Sequence, residues 1–378
     1  MQASFRGGGP PLAFGAGMAN RAKKALGRIE KAIDRGKVAL KTRLGLWQRP
    51  EVQIFRGHGT PTVLRVAGRV VEKTGTHEVG PSVGRLRNAL NTFKRMESDE
   101  LPGVRLRVRA CGVELETTTD DEGFFAVDVA CDGVQPGWHH VEAEILASPS
   151  GHTGIEGTGE VLVVEDDCEL GYVSDLDDTV VQTGARNKMT HTRVLLVRDA
   201  FEQEPFEGVA DLYTLLVRGA DGRTPHPIFY LSRSSWGLYD LFVDFMSHRG
   251  IPRGPMFLMD AAVIEEKSAA VGREHHKLDV LAEILETHPQ LRVVLIGDSG
   301  QHDPETYLDA VRRWKSRIRA VWLRDVTDEK RDAEVKRIVA QIEALGVPAL
   351  ATDRSSEMAA LAVRLGFIPA GSAATVDR

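Results

Sequence analysis

The sequence predicts an α/β protein, with a doubly wound parallel sheet over residues 165–370, a small β-sandwich over 62–164 and a basic amphipathic helix over 18–47. Three observations predict it. After Cys168, short apolar runs alternate with amphipathic stretches, which gives a parallel sheet with helices on both faces. Between Thr62 and Val164 the runs are short, alternate with period two and are divided by turn residues. Before Trp47, the residues Leu26, Ile29, Ile33, Leu40 and Leu44 recur at three-, four- and seven-residue steps.

Residues 1–17 contain Gly7-Gly8-Gly9-Pro10-Pro11 and cannot bury a core, so they read as a flexible tail or as a stretch upstream of a start at Met18. The helix over 18–47 is weakened by Gly27 and Gly36, each by roughly 1 kcal/mol relative to alanine. From Arg21 to Arg43, nine basic residues face only Glu30 and Asp34, a local charge of +7 on a chain of net charge −6. Two readings stay open for it: a solvated helix packed on the body, or a segment lying on an anionic membrane surface.

In the β-rich part, Val63–Val71, Val104–Arg109, Phe124–Val129 and His140–Leu146 read as strands, with a turn at Thr119–Gly123. A helix over Val83–Met96 interrupts them, with Leu86, Leu90 and Phe93 at helical spacing. No catalytic constellation is found there, which leaves binding or scaffolding as its role.

With 42% apolar and 27% charged residues, the chain is neither a collagen, a coiled-coil rod nor wholly disordered. No apolar run approaches the length of a bilayer span, and the N-terminus lacks the pattern of a secretory signal. The acidic balance argues against nucleic acid as a partner. Cys111, Cys131 and Cys168 have no metal-ligand spacing, and reduced thiols in a cytoplasmic protein, peripheral at the membrane if the basic helix binds lipid, are the simplest reading.

In the second half, strands are expected at Leu170–Ser174, Pro227–Leu231, Met256–Met259, Val293–Ile296 and Ala320–Leu323. Helices are expected at Val209–Leu216, Trp236–Met246, Lys277–Glu286, Pro304–Trp314 and Glu329–Leu345. Ligands in such sheets bind beyond the carboxyl ends of the strands. Asp175, Ser232, Asp260, Asp298 and Arg324 stand at those ends.

Asp175-Leu176-Asp177-Asp178 sets three carboxylates within four residues, a repulsion that a divalent cation with oxygen ligands, such as Mg²⁺, resolves. One of two aspartates spaced two apart can attack phosphorus while the other, protonated, supplies a proton to the leaving oxygen. Alone, the motif can also be read as an acidic surface turn. Ser232 can donate to a phosphoryl oxygen or cap a helix. Lys277, placed at a helix start, suits a bound phosphate there or is a plain surface lysine. Asp298 and Asp303 lie five residues apart on a glycine-containing loop, where Asp303 can also cap the helix begun by Pro304.

Taken in order, Asp175-x-Asp177-x-Thr179, Ser232, Lys277 and Gly297-Asp298-(x)4-Asp303 resemble the four-motif signature of haloacid dehalogenase (HAD) type phosphotransferases. More narrowly, Ser174-Asp-Leu-Asp-Asp-Thr179, Phe229-Tyr-Leu-Ser232, His276-Lys277 and Gly297-Asp-Ser-Gly-Gln-His-Asp-Pro-Glu305 resemble the catalytic domain of the actin-patch phosphatidate phosphatase family. The resemblance covers about residues 165–370, and the β-rich part resembles the upstream region of bacterial members. The sequence departs from the pattern at Ser232-Arg-Ser-Ser-Trp236, where a proline would precede the tryptophan; this bears on local loop shape.

The resemblance implies a HAD-like, Rossmann-like fold with Asp175 as nucleophile, Asp177 as general acid then base, and Ser232 and Lys277 holding phosphoryl oxygens. It implies Mg²⁺ held by Asp175, Asp298, Asp303 and the backbone carbonyl of Asp177. The expected reaction is hydrolysis of phosphatidic acid to diacylglycerol and phosphate through an aspartyl-phosphate. Two alternatives are a soluble phosphomonoester or phosphoprotein as substrate, and a non-catalytic membrane-surface adaptor. The segment Val181–Arg198 is a candidate flap, and His302, Asp260 and Arg324 are candidate pocket residues.

Overall fold

The computed structural model describes residues 44, 46–72, 100–177, 179–180, 205–222, 225–259, 269–326 and 329–376. The tail, all but the last few residues of the basic helix, the helix over 83–96, Asp260 and the flap over 181–198 lie outside the described residues. Two compact units divide the chain, Met1–Arg49 and Pro50–Arg378, and the second holds both sheets.

The first sheet comprises β1 (Pro50–Ile54), β2 (Gly57–Thr60), β3 (Val63–Glu72), β4 (Arg105–Ala110), β5 (Val113–Thr118), β6 (Phe124–Ala130), β7 (Gly137–Ala147) and β8 (Glu156–Val163). Its order is β1-β3-β2-β8-β7-β4-β5, with β6 on the free side of β3. Hydrogen bonds thus join seven of the eight described strands in one path, with β6 branching from β3, rather than in two separately bonded sheets. The alternation seen in β4 is realised: Leu106, Val108 and Ala110 are buried, while Arg105 and Arg109 reach Glu116 and Glu114 across the β4–β5 ladder, each at 2.9 Å.

Strands β1, β2, β5 and β8 were not evident in the sequence, and β8 shows why. Gly157 and Gly159 weaken its strand signal, yet a Cβ at either would stand 2.7 Å or less from the Cβ of Val52 or Ile54 on β1.

The structure corrects the expectation of three reduced thiols. Cys111, in the turn after β4, is disulfide-bonded to Cys131, just past β6, with Cα atoms 6.1 Å apart. Tertiary folding brings the two turns together, which spacing alone does not reveal, and the pair withdraws the support that reduced thiols gave to a cytoplasmic location. Cys168 is free and buried, and burial pushes its thiol up to about 11. Closing a loop across 20 residues stabilises by about 3 kcal/mol in the chain-entropy account. A Cys111→Ser variant is therefore expected to melt several degrees lower. A thiol count of one under denaturing, non-reducing conditions checks the pairing; a count of three would contradict it.

The second sheet is β9 (Leu170–Asp175), β10 (Ile228–Ser235), β11 (Met256–Met259), β12 (Arg292–Asp298), β13 (Ile318–Arg324) and β14 (Ala349–Thr352). All pairs are parallel, in the order β11-β10-β9-β12-β13-β14. In chain order that is 3-2-1-4-5-6, and the direction of winding reverses between β9 and β12, the switch point where such sheets bind ligands.

The helices are α1 (Val209–Arg218), α2 (Tyr239–His248), α3 (Ala269–Thr287), α4 (Asp303–Trp314), α5 (Glu329–Ala344) and α6 (Ser355–Arg364). Because side chains alternate across a strand, the sheet feeds two cores. Tyr172, Tyr230, Ile296 and Trp322 pack with α1, α2 and α6 on one face. Val173, Leu231, Leu295 and Leu323 pack with α3, α4 and α5 on the other. Each large apolar side chain so buried stabilises by roughly 1.5–3 kcal/mol. The short, alanine-containing β14 carries too little pattern to be read from sequence.

The two sheets touch at two places that matter for the site. Phe55, after β1, stacks on Trp236 at 3.9 Å, directly beyond β10. On the other side, His58 Nδ1 lies 2.9 Å from His288 Nε2, and Arg65 donates to Glu283 of α3 at 2.8 Å. His58 and Arg65 hold Glu283 below the usual carboxylate range. Burial, with His58, Arg65 and Arg317 adding positive charge, lowers His288 to about 3. An unfolded histidine titrates near 6.5, so below that pH the unfolded chain binds the extra proton and stability falls until the folded pKa is reached. The expected slope from this residue is about 1.4 kcal/mol per pH unit between pH 6 and 4. His288→Gln, which keeps a polar atom at the Nε2 position, is expected to flatten that slope in urea melts; an unchanged slope would refute the assignment.

Candidate active site

The site lies at the carboxyl ends of β9, β10 and β12, where the first of these ends in Asp175. Strand β9 is buried from Gly171 onward, and Ser174 Oγ meets the Tyr213 hydroxyl of α1 at 2.6 Å, which fixes the strand end. Asp175, 2% exposed, faces Lys277 Nζ at 2.7 Å through Oδ1. The same Nζ lies 2.5 Å from Asp303 Oδ1, so one buried ammonium bridges two buried carboxylates.

Lys277 is not at a helix start. Helix α3 begins at Ala269, and Lys277 stands well inside it, so the carboxylates rather than a helix terminus account for its place. The preceding turns carry little apolar periodicity, which hid the true start from the sequence. Burial alone would lower the pKa of Lys277, but Asp175 and Asp303 outweigh it and hold it raised.

Asp298 and Asp303 come from β12 and the first turn of α4. Asp298 Oδ1 accepts from the backbone N–H of Gly300 and Gln301 at 2.7 and 2.8 Å, which shapes the loop around the carboxylate. Asp303 makes no side-chain cap of its helix; its Oδ2 accepts from Asp298 N at 3.3 Å and its Oδ1 takes Lys277. Gly297 makes room for this arrangement. A Cβ there would overlap Asp303 Oδ2 and stand 2.8 Å from the Tyr307 ring.

Asp175, Asp298 and Asp303 each offer an oxygen within 4.8 Å of the others. Among the described residues, Oδ2 of Asp175 and Oδ2 of Asp298 are buried without a hydrogen-bond partner. Burial drives Asp175 well above its ordinary value, with Lys277 opposing, and drives Asp298 up to about 7, with Asp303 adding repulsion. Three buried carboxylates with oxygens this close, two of them carrying an unpartnered oxygen, form a donor set that suits a hard cation.

Asp177 stands apart from that cluster. Its Oδ2 accepts from Ser232 Oγ at 2.6 Å, and Ser234 Oγ lies 3.2 Å away. The structure thus brings together all six residues expected from sequence, in two adjoining groups: Asp175, Lys277, Asp298 and Asp303, and Asp177 with Ser232. Arg324, at the end of β13, has structural partners. Its guanidinium turns to the Asp353 carbonyl and Ser355 Oγ and lies over the Phe206 ring, where it anchors α6. His302 precedes α4, and its carbonyl accepts from Thr306.

Sequence reasoning missed Ser234, Arg233, Gln301 and Arg331. Arg331 of α5 donates to the Gln301 carbonyl at 2.8 Å and to Glu305, pinning the Asp298 loop from outside. Ser234 carried a signal, being two residues past Ser232 and so on the same side of a strand. The basic residue on α5 carried none.

Residues 170–325 match the family described as the catalytic domain of phosphatidate phosphatase APP1. The chain is 26% identical over 163 residues to phosphatidate phosphatase APP1 of Saccharomyces cerevisiae, covering 43% of this chain and 27% of that one. It is 24% identical over 223 residues to an uncharacterized protein of Schizosaccharomyces pombe, covering 57% of this chain and 35% of that one. The chain thus spans about a third or less of the length of these relatives. A carbohydrate acetylesterase of Xanthomonas citri superposes over 81% of this chain and 69% of its own, at 9% identity and a TM-score of 0.31, too low to argue from. The matched span runs from β9 to just past β13 and contains every residue of the two carboxylate groups. The likeness to the phosphatidate phosphatase APP1 catalytic-domain family is thus carried by residues 170–325.

Proposed function

We propose that the protein is a Mg²⁺-dependent phosphatase of HAD-like fold that hydrolyses phosphatidic acid to diacylglycerol and phosphate. The observation that carries the reading is the Asp175–Lys277–Asp303 bridge beside the Asp177–Ser232 pair, at the switch point of a parallel sheet. The clustered carboxylates Asp175, Asp298 and Asp303 share one ammonium, Lys277, which leaves two negative charges for one divalent ion to balance. Asp175, Asp298 and Asp303 would hold it with the Asp177 carbonyl, and when bound it supplies charge neutralisation for the phosphoryl group.

Asp175 attacks phosphorus; the Oδ–P bond forms as the ester P–O bond breaks. Asp177 gives its proton to the leaving alkoxide, then takes one from the water that attacks the aspartyl-phosphate, which returns Asp175 as a carboxylate and releases phosphate. Ser232 has a single hydroxyl donor, now spent on Asp177. When a phosphoryl oxygen takes that donor, Ser234 retains the hold on Asp177. Lys277 supplies fixed positive charge where the phosphoryl oxygens gather.

The lipid substrate rests on the family, and the basic stretch over 18–47 supports it as an anionic-membrane anchor. Phosphate release from phosphatidic acid in mixed vesicles with Mg²⁺, beside a soluble aryl phosphate, tests both parts. Release from both substrates is expected, and deletion of residues 1–47 should reduce only the vesicle activity. Turnover of the aryl phosphate alone would keep the chemistry and discard the lipid.

A further inference from the structure

Strand β9 lies between β10 and β12, so any link from the end of β10 to the loop after β12 crosses above Asp175. Arg233 and Gln301 make such a link: the guanidinium Nη2 of Arg233 donates to Gln301 Oε1. Arg233 sits between the two serines that hold Asp177, and Gln301 is one of the two residues whose N–H groups hold Asp298. Both ends of the link are therefore anchored in the site. The side chain is 9% exposed, and its charge is felt at both Lys277 and Asp298. A guanidinium has five donors in a planar fork that matches phosphate oxygens, and the link to Gln301 uses one nitrogen of that fork.

We propose that Arg233 is a second phosphate-holding cation, parked on Gln301 and transferred to the terminal oxygens of the substrate's phosphomonoester group when it enters. Lys277 is immobilised between two carboxylates at the floor of the site, so its charge reaches the phosphoryl group from below. Arg233, hinged on β10, reaches it from the mouth. The exchange gives up a neutral amide acceptor for an anionic one, which the planar fork can grip with two parallel hydrogen bonds where the amide takes one. Gln301 serves as a positioning residue, keeping the fork aimed across the mouth before substrate arrives.

The proposal rests on the phosphatase reading but is tested separately from it. Arg233→Ala and Arg233→Lys in the full chain are compared with the wild type for aryl phosphate turnover and for inhibition by inorganic phosphate, with Mg²⁺ present. The phosphate-induced rise in Tm is measured in parallel. The alanine variant is expected to raise KM and the inhibition constant of phosphate at least tenfold, with a smaller change in kcat and loss of most of the Tm rise. Lysine restores only part, because it lacks the fork; should the alanine variant be unstable, the lysine variant carries the comparison. KM and phosphate inhibition within twofold of wild type in an active enzyme would overturn the proposal. A protein that turns over no phosphomonoester, yet binds phosphate through Arg233, would leave this proposal standing and overturn the phosphatase reading.

Discussion

Asp175→Asn is expected to lower phosphate release about 10⁴-fold or more, as removal of a nucleophile does when nothing else can attack. The amide is nearly the same size, and its carbonyl oxygen can still accept from Lys277, which Oδ1 does now at 2.7 Å. What it lacks is the second anionic oxygen, and Oδ2 is the atom left without a partner in the buried space. Burial, opposed by Lys277, already raises the pKa of Asp175, so neutralising it removes repulsion against Asp303, Asp177 and Asp298. The variant should therefore fold, with a metal-free melting temperature near or above that of wild type. Activity within tenfold of wild type would contradict the assignment, and a melted variant would contradict the electrostatics. A cellular role preserved in the inactive variant would instead favour an adaptor.

The fate of Asp175 and Lys277 shows how far the sequence is legible. Asp175 is readable because a buried strand, Leu170–Asp175, delivers it to a sheet edge, and both the apolar run and the carboxylates after it are local signals. Asp298 is readable for the same reason at the end of β12. Lys277 was found as a residue but misplaced on its helix, since the meaning of a lysine there depends on carboxylates roughly a hundred residues earlier and 26 residues later. The parallel sheet declared itself through alternating strands and helices. The strands β2 and β8 did not, because their glycines answer to the neighbouring β3 and β1 chains rather than to local propensity. The Cys111–Cys131 pair and the Arg233–Gln301 link are likewise products of folding.

Lys277→Met is the second large effect. The ammonium is 4% exposed and balances Asp175 and Asp303 at once. Removing one partner of a buried ionic group while the others stay charged typically costs 3–5 kcal/mol. Turnover should fall as well, since the phosphoryl oxygens lose their fixed positive charge. The sign of the pH dependence follows from the carboxylates. Asp298, raised to about 7, binds its proton more tightly when folded than when unfolded. Such a group contributes stability that is complete below its unfolded pKa and lost as pH rises through its folded one. The stability gap between Lys277→Met and wild type should therefore widen from pH 5 to pH 8, and bound Mg²⁺ should narrow it. Lys277→Arg, which keeps the charge, should recover more stability than activity. A methionine variant as stable as wild type at pH 8 would show that the ammonium does not balance the cluster.

The measurement that reaches furthest is trapping of the covalent enzyme. Asp177→Asn removes the group that activates water, while an aryl phosphate needs little help from a general acid to depart. Mixed with that substrate and Mg²⁺ and quenched in acid, the variant should gain the mass of one phosphoryl group, located on the peptide that carries Asp175. A stoichiometric burst of aryl alcohol should accompany it. Aryl alcohol released without any phosphorylated peptide, or a phosphoryl group on another residue, would contradict Asp175 as the nucleophile and with it the mechanism assigned to this site.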